Sequence, residues 1–374
     1  MGYQIVVSHG TLRIMITHKK PVIFREGSYT LADVEALKRA EPIWKVCDVY
    51  AEQLEELFEI THADKRQSPA FRQDMRVFVD ARVTGFGGFG GNWVYYPWSG
   101  VLVHTVSEAE YAVLRTNRNR NLITEEEQEK LLNCPMGIVG LSVGSRIAST
   151  LAYGGIGNAL KLAEYDTLET TNLNRIPARL DQIGEPKIEI VSRHVYEANP
   201  YASLAFFEQG LTTDTLEEFV RGAPAPKIIF EVIDNFVMKI QLRLAARRAR
   251  IPVLMFANLG DSVLVDVERY DLDPETPLFN GRAGKTPEEI LENPDITQAE
   301  KHRYAVELVG REHIPERAMQ SVREIGRTLV GRPQLAGTVA ITGGIAAYAA
   351  KCIVLGWPLT SGRYLVRFDN FFNT

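Results

Sequence analysis

The feature that most constrains this chain is a glycine loop placed between a buried strand and a helix. The run "MGIVG" is short and apolar, as a buried strand requires, and "SRIASTLAYGG" follows with helical character. A loop in this position presents backbone N–H groups and the positive end of a helix to a bound phosphate. The sequence therefore predicts nucleotide binding by the loop residues Gly140, Ser142 and Gly144.

Strand and helix signals alternate on both sides of this loop. Strand-like runs at 159–166, 203–209, 227–234 and 252–258 are separated by helical stretches, and the last strand signal is "YLVRFDNF". Such alternation is typical of a parallel sheet that is covered on both faces. We expect an α/β fold with a doubly wound, mostly parallel, Rossmann-like sheet.

Residues 1–105 lack the regular alternation of strands and helices and are predicted to form an N-terminal α+β accessory domain. Residues 106–374 are predicted to form the nucleotide-binding domain. Strands are expected at "YQIVVS", "LRIMIT", "MRVFVDARV" and "WVYYPW". One long helix is expected from the cap Thr30 to Ile60.

A second glycine motif, "GFGGFG" at 85–90, matches G-x-G-x-x-G letter for letter. It follows a predicted strand but leads into "GNWVYYPWSG", which is aromatic, contains proline and is not helical. Phosphate-binding loops need a helix on their carboxyl side, so we interpret this stretch as a hairpin or surface loop.

Composition excludes several classes of protein. No run approaches the roughly 18–20 apolar residues of a membrane span, and the first residues lack a signal-peptide core. A net charge of −5 provides no overall field for nucleic acid, so no nucleic-acid partner is expected. The three cysteines form no CxxC pair, which argues against a zinc site or a disulfide framework. A cytoplasmic protein is the resulting expectation.

Charged and amide side chains follow the strands that flank the glycine loop. Glu164 lies where nucleotide-binding units read a ribose hydroxyl. Asn172, Arg175 and Lys187 follow it. The positive charges of the arginine and the lysine suit a triphosphate. Asp234 ends a later strand and could hold Mg²⁺ beside the phosphates, although an Asp here could also cap the next helix.

Together these motifs resemble the ThiF/MoeB superfamily, which contains the sulfur-carrier adenylyltransferases of thiamine and molybdopterin synthesis and the ubiquitin-activating enzymes. The resemblance covers roughly residues 110–270 and is closest to bacterial ThiF-like proteins that carry "GLSVG". Its motifs appear in the family's order: "RTNRN", "EEQEKL", "GGIGN", "EYDTLETTNLNR", "GEPK" and "VIDN".

The resemblance implies a role for each residue. Glu164 would bind the ribose of ATP, and Asp166 would belong to the same nucleotide site. Asn172, Arg175 and Lys187 would contact phosphates, while Asp234 would hold the magnesium ion. Arg118 would reach into the site of the neighbouring subunit in a homodimer and stabilise the departing pyrophosphate.

The implied reaction is attack of a carboxylate on the α-phosphorus of ATP. The substrate would be a peptide or small protein, and the product an acyl-adenylate. Three departures from the family pattern are visible: the loop is one residue short and lacks its middle glycine, Glu replaces Asp at 164, and residues 236–351 contain no cysteine for a thioester. Cys352, in an apolar helical run, is interpreted as a buried structural thiol.

Three alternatives stay open at this point. One is an enzyme similar to the tRNA carbamoyl-amino-acid dehydratases, against which the lack of a basic surplus argues. Another is an oxidoreductase that uses NAD(P) or FAD, against which the missing middle glycine and the extra cations argue. The third is a nucleotide-binding scaffold without turnover, which the shortened loop would permit.

Overall fold

The computed structural model describes residues 3–8, 11–16, 20–85, 90–282, 287–292 and 297–371. The chain divides into two compact units, Met1–Glu125 and Glu126–Thr374. The interior of the "GFGGFG" motif, residues 86–89, lies outside the described residues, so its interpretation as a loop stays a prediction.

The first unit contains a hairpin and a separate four-stranded sheet. Strands β1 (Tyr3–Ser8) and β2 (Thr11–Ile16) pair antiparallel as the hairpin, which confirms both predicted strands. The sheet has the order β3-β5-β6-β4, in which β4 runs parallel to β6 and the other pairs are antiparallel. Its strands are β3 (Val22–Phe24), β4 (Lys45–Asp48), β5 (Asn92–Tyr96) and β6 (Val101–Thr105).

The single helix predicted over 30–60 is wrong in its middle. The structure has two helices, α1 (Leu31–Ala40) and α2 (Tyr50–Thr61), with strand β4 between them. Proline disfavours helical geometry in the residue before it, and α1 ends one residue before the pair Glu41–Pro42. The predicted cap is confirmed, because the Thr30 side chain accepts a hydrogen bond from the backbone N–H of Asp33.

The strand predicted over 75–83 is also wrong, because this segment belongs to helix α3 (Phe71–Thr84). Phe71, Met75 and Val79 are spaced four residues apart and are buried in one cluster with Tyr50 and Phe58. This spacing places them on one helical face, and the alternation that suggested a strand is incidental. Helix α4 (Glu108–Thr116) follows β6 in this unit.

The second unit is built on a seven-stranded sheet of order β13-β12-β11-β10-β7-β8-β9. The five strands from β11 to β9 in this order are mutually parallel, while β12 and β13 are antiparallel additions. The predicted α/β, mostly parallel sheet is therefore confirmed. The strands are β7 (Met136–Val139), β8 (Ala159–Ala163), β9 (Ser203–Phe207), β10 (Ile228–Glu231), β11 (Val253–Asn258), β12 (Ser262–Glu268) and β13 (Gly362–Arg367).

Helices cover both faces of this sheet. The chain winds outward from β7 to β8 and β9, then returns to place β10 on the other side of β7. Right-handed crossovers therefore put α6 and α7 on one face and α9 on the other, and β7 marks the switch point. The helices of this part of the chain are α5 (Glu125–Leu132), α6 (Gly144–Gly154), α7 (Lys187–Ala198), α8 (Thr213–Arg221), α9 (Phe236–Ala249), α10 (Pro287–Glu292), α11 (Gln298–Val309), α12 (Glu316–Glu324) and α13 (Ala336–Leu355).

Helix α13 corrects the expectation that no segment is long and apolar enough to cross a membrane. By length and composition it qualifies, although half of its apolar stretch is buried within the structure. It packs closely against α6: a Cβ at Gly343 would lie 2.6 Å from the Thr150 Oγ1 and 2.7 Å from the Arg146 carbonyl oxygen. Glycine at this position permits the close approach.

The helical assignment of α3 can be tested by two matched valines. Val79 is 9% exposed in the core, whereas Val77 is 58% exposed. Val79→Ala should lower the free energy of unfolding by about 1–3 kcal/mol, since a buried side chain is truncated, and Val77→Ala should change it by less than about 0.5 kcal/mol. Urea denaturation of both variants provides the measurement. Equal costs would point to a strand, in which residues two apart share a face.

Candidate active site

The glycine loop between β7 and α6 lies at the switch point of the sheet, between the carboxyl ends of β8 and β10. Gly140 adopts a φ of +90°, and a Cβ there would lie 2.8 Å from the Val232 carbonyl oxygen. The Gly140 N–H donates to the Ala163 carbonyl oxygen at 2.9 Å. Only glycine fits this position, and ligands of doubly wound sheets bind in the crevice that such a loop borders.

The Glu164 carboxylate holds the glycine loop in place. Its Oε2 accepts a hydrogen bond from the Leu141 N–H at 2.8 Å, and its Oε1 accepts from the N–H groups of Tyr165 and Asp166. The side chain is buried, with 7% exposure. A carboxylate oxygen can accept two hydrogen bonds, so Oε2 retains capacity for a ribose hydroxyl. The predicted ribose contact stays a prediction, and the structure adds a loop-holding role.

Beside this loop, the buried Lys187 forms an ion pair with the half-exposed Asp166. The Lys187 Nζ lies 2.9 Å from the Asp166 Oδ2, and the backbone N–H of Lys187 donates to the Asp166 carbonyl oxygen. Lys187 is the first residue of α7 and is 6% exposed, whereas the Asp166 side chain is half exposed. A cation at the first turn of a helix opposes the helix dipole, and Asp166 offsets that cost. The sequence predicted both residues for the nucleotide site, and the structure brings them together.

Arg175 contacts the glycine loop directly. Its Nε donates to the Ser142 Oγ at 3.1 Å, and its Nη1 donates to the Asn174 Oδ1 at 2.9 Å. Burial lowers the pKa of the Arg175 guanidinium, while the negative charges of Asp234 and Glu169 act in the opposite direction. An arginine keeps its proton through such a shift, so a fixed positive charge stands at the loop.

Asn172 has a local structural task. Its Oδ1 accepts a hydrogen bond from the Glu169 N–H at 3.1 Å and closes the 3₁₀ turn Thr170–Asn172. The residue is buried, with 6% exposure. This turn sets the direction of the chain that delivers Arg175 to the loop, while the predicted phosphate contact of Asn172 stays a prediction.

Asp234 is exposed at the tip of β10 and does not cap the following helix. The cap of α9 is Asn235, whose Oδ1 accepts from the Met238 N–H at 3.0 Å. The Asp234 Oδ1 instead lies 3.4 Å from the Arg332 Nη2, and its charge acts on both Arg175 and Tyr165. The carboxylate therefore lies near Arg175, which contacts the glycine loop.

The sequence did not identify Arg332 as a site residue. It precedes α13, and 98 residues separate it from Asp234 along the chain. No strand tip or motif surrounds it, so only the folded chain reveals its position. Arg118, by contrast, was predicted, and it is an exposed residue of the first unit in the turn Asn117–Asn119.

A buried ionic network supports the tip of β10. Glu231 accepts hydrogen bonds from Lys239 Nζ at 2.7 Å and Arg243 Nη1 at 2.9 Å, and Arg243 Nε also donates to Glu268 at 2.7 Å. Burial disfavours the Glu231 carboxylate, but the two cations outweigh it and hold its pKa below the usual value. The Glu231 Oε1 also accepts from the Ile233 N–H at 2.9 Å, which fixes the backbone next to Asp234.

The network includes one arginine of the basic run "RLAARRAR" (243–250) of α9 and leaves another at the surface. Arg243 is fully buried, and its guanidinium lies 4.0 Å from the centre of the Phe279 ring. The side chain of Arg248, on the same helix, is 56% exposed. Sequence alone could not distinguish the buried Arg243 from the exposed Arg248, because the carboxylate partners of Arg243 come from two different strands.

A glycine loop at the switch point of a doubly wound sheet, with cations from neighbouring loops, defines a Rossmann-like nucleotide-binding α/β protein. The chain belongs to the ThiF family, which it matches over residues 116–374. The resemblance read from the sequence is thus confirmed.

Several proteins are similar to this chain in sequence. It is 37% identical over 274 residues to the uncharacterized protein MT1398 of Mycobacterium tuberculosis, covering 73% of this chain and 37% of that protein. It is 27% identical to a tRNA threonylcarbamoyladenosine dehydratase of Bacillus subtilis, over 42% of this chain and 60% of the enzyme. A molybdopterin-synthase adenylyltransferase of Haemophilus influenzae is 29% identical, over 43% of this chain and 66% of the enzyme. The chain therefore spans less than two thirds of the length of each.

Among solved structures, Escherichia coli MccB with ATP is similar with a TM-score of 0.49 and 16% identity, over 85% of this chain and 84% of MccB.

The buried network predicts unequal costs for two arginines of one helix. Arg243→Met should lower the free energy of unfolding by about 3–5 kcal/mol, because it leaves the buried carboxylates Glu231 and Glu268 without their shared partner. Arg248→Met, the exposed control, should cost less than about 1 kcal/mol. Urea denaturation measures both. Similar small costs would mean that the network contributes little to folding.

Proposed function

We propose that this chain is an ATP-dependent adenylyltransferase that activates a carboxylate of a peptide or small protein without a thioester cysteine. One observation carries the proposal: Arg175 contacts the glycine loop at Ser142, and Lys187 lies at the adjacent strand tip. The two cations come from the stretch after β8, which carries the family-like motifs "EYDTLETTNLNR" and "GEPK". Membership of the ThiF family and similarity to a molybdopterin-synthase adenylyltransferase support the same reaction.

In the proposed reaction a substrate carboxylate oxygen attacks the α-phosphorus of ATP. A bond forms between these atoms, the bond between the α- and β-phosphates breaks, and pyrophosphate leaves with the electron pair. Arg175 and Lys187 supply fixed positive charge where negative charge develops, and such preorganised stabilisation is a large share of catalysis. Holding the two reactants side by side supplies much of the rest. Neither effect requires a nucleophilic protein side chain.

Asp234 fits a magnesium site of the kind that nucleotides bring with them. Its side chain is 87% exposed, so its oxygens are accessible from the crevice. Magnesium is usually bound by one or two carboxylates together with phosphate oxygens, and it neutralises charge on the phosphates. Among the described residues there is no cluster of three or more His, Cys, Asp or Glu side chains that could hold a metal, which suits an ion bound mainly by phosphate.

Two of the three cysteines, both in the second unit, support a reaction that ends at the adenylate or passes it directly to an acceptor. Cys134 and Cys352 are buried, and burial raises the pKa of the Cys134 thiol to about 11. A buried thiol of high pKa forms little thiolate and is a poor nucleophile. Cys352 lies within α13, in keeping with a structural thiol.

The proposal also assigns roles to the N-terminal part of the chain and to a second copy of the chain. We propose that the N-terminal accessory domain, predicted at residues 1–105, recognises the peptide or protein substrate. Two chains would form a homodimer in which Arg118 reaches the site of the partner and stabilises pyrophosphate. The exposure of Arg118 leaves its guanidinium accessible for such a contact.

A second candidate is dehydration of a carbamoyl-amino acid on tRNA, which the similarity to a tRNA threonylcarbamoyladenosine dehydratase favours. Pyrophosphate release stimulated by tRNA, but not by small proteins, would support this candidate over the first. Stimulation by a small protein or peptide alone would support adenylation of that substrate.

The nucleotide assignment is tested by titrating the protein with Mg·ATP, NAD and FAD in a calorimeter. We expect Mg·ATP alone to bind. Lys187→Ala should weaken that binding about 10- to 100-fold, since a charge-assisted phosphate contact is lost. Lys227→Ala is the control. This exposed lysine immediately precedes β10 and therefore lies at the amino-terminal end of the strand, away from the carboxyl ends that border the candidate site. Binding of NAD or FAD would instead indicate redox chemistry, and binding of none of the three would contradict the nucleotide site.

Sharing of the arginine between subunits is tested by complementation. Arg118→Ala and Lys187→Ala should each lose at least about 100-fold in pyrophosphate release, as expected when a key electrostatic contact is removed. Mixing the two variants under conditions of subunit exchange should restore part of the activity, since one site of each heterodimer is intact. A mixture that stays inactive, while wild-type subunits exchange normally, would show that Arg118 does not act across the interface.

A further inference from the structure

The segment that precedes α13, residues 331–335, crosses the mouth of the candidate site. The Gln334 carbonyl oxygen accepts a hydrogen bond from the Asn174 Nδ2 at 2.8 Å, on the β8 side of the glycine loop. The Arg332 Nη2 lies 3.4 Å from the Asp234 Oδ1, on the β10 side. Since β7 lies between β8 and β10, a segment with contacts on both sides passes in front of the glycine loop. We call residues 331–335 the strap.

The strap is tied to the residues that define the site. Asn174 donates to the strap and accepts from Arg175 Nη1, and Arg175 in turn donates to Ser142 in the loop. Just after the strap, in the first turn of α13, the Thr338 Oγ1 donates to the Gly260 carbonyl oxygen at 2.5 Å. The strap is therefore anchored at α13 and connected to the loop through one asparagine.

The polar groups at this edge are not all satisfied. The Gln334 Oε1 and the Asn258 Nδ2 are shielded from solvent and have no hydrogen-bond partner among the described residues. Asn258 is the last residue of β11, at the same edge of the sheet. A shielded polar atom without a partner costs about 1–3 kcal/mol. An acceptor and a donor without partners are what a polar ligand could satisfy.

Arg332 has the chemistry to contact that ligand. Its side chain is about half exposed, and its contact with Asp234 engages one of the five N–H donors that a guanidinium offers. An ion pair between exposed side chains at 3.4 Å is weak, so phosphate oxygens can compete for the arginine. Asp234, once released, can turn to a magnesium ion.

We propose that Arg332 is a phosphate-binding residue of this site, carried on a strap that closes over the β- and γ-phosphates of a nucleoside triphosphate. This inference rests on the proposed function. When the triphosphate binds, the Arg332 guanidinium exchanges the Asp234 carboxylate for phosphate oxygens, and Asp234 becomes available to the cation that accompanies the phosphates.

The test compares Mg·ATP with AMP in calorimetric titrations of wild type, Arg332→Ala, Arg332→Lys and Arg327→Ala. Arg332→Ala should weaken Mg·ATP binding at least about tenfold and change AMP binding less than about twofold, because only the triphosphate carries β- and γ-phosphates. Arg332→Lys should lie between, since lysine keeps the charge but loses the planar fork. Arg327→Ala, an exposed arginine a few residues earlier, should bind both ligands as wild type does.

The outcomes distinguish failure of the Arg332 inference from failure of the adenylyltransferase proposal. Wild-type binding of Mg·ATP together with unchanged binding by Arg332→Ala would overturn this inference and leave the adenylyltransferase proposal standing. An equal loss of AMP and ATP affinity would also overturn it, because the arginine would then not distinguish the phosphates. No binding of Mg·ATP by the wild type would overturn both proposals. Thermal unfolding of the variants verifies that each is folded.

Discussion

The site depends on one carboxylate placed between two loops. Glu164 accepts the N–H of Leu141 from the glycine loop and two further N–H groups from its own strand tip. A buried carboxylate that lacked such donors would carry a large desolvation cost, so the hydrogen bonds and the burial require each other. Because the loop is held in this way, its backbone is organised before any ligand arrives. The positions of Ser142 and of Arg175, which donates to it, follow from that organisation.

The cations of the site all have acceptors within the protein. Lys187 is paired with Asp166, Arg332 with Asp234, and Arg175 with neutral oxygens of Ser142 and Asn174. Nucleotide binding would therefore be an exchange of partners rather than a simple addition of contacts. The net gain for each cation is the difference between two charge-assisted interactions, and it is smaller than either of them. Arg175, whose present partners are neutral, has the most to gain from a phosphate.

Much of the fold followed from the sequence because its signals are local. The strand that precedes Gly140, the helix that follows Gly144 and the alternation after them have short-range patterns, and each was confirmed. The errors arose where local patterns mislead. The alternating residues of 75–83 form a helix, since Met75 and Val79 pack with residues far away in sequence. The break at Pro42 carried a local signal that the long helical pattern obscured.

The candidate site was predictable only in part, because some of its contacts join residues that are far apart in the sequence. Glu164, Arg175, Lys187 and Asp234 follow strands, and the ends of parallel strands meet at one edge of a sheet, so their proximity could be anticipated. That Lys187 would pair with Asp166, or that Glu164 would hold Leu141, depends on side-chain geometry that no spacing specifies. Arg332 reaches the site from a distant, irregular segment, and Arg243 is indistinguishable in sequence from its exposed neighbours.

The buried network around Arg243 has a consequence for how this chain can change over time. Glu231, Lys239, Arg243 and Glu268 lie on three different elements and are buried. Apolar side chains of similar volume can often replace such a set as a whole, but removing one member leaves an unbalanced charge in the interior. Each single substitution therefore lowers the stability, even where replacement of the whole set, with Lys239 included, would be neutral. The identities of the four residues therefore depend on one another, and sequence change must either pass through a destabilised intermediate or leave all four unchanged.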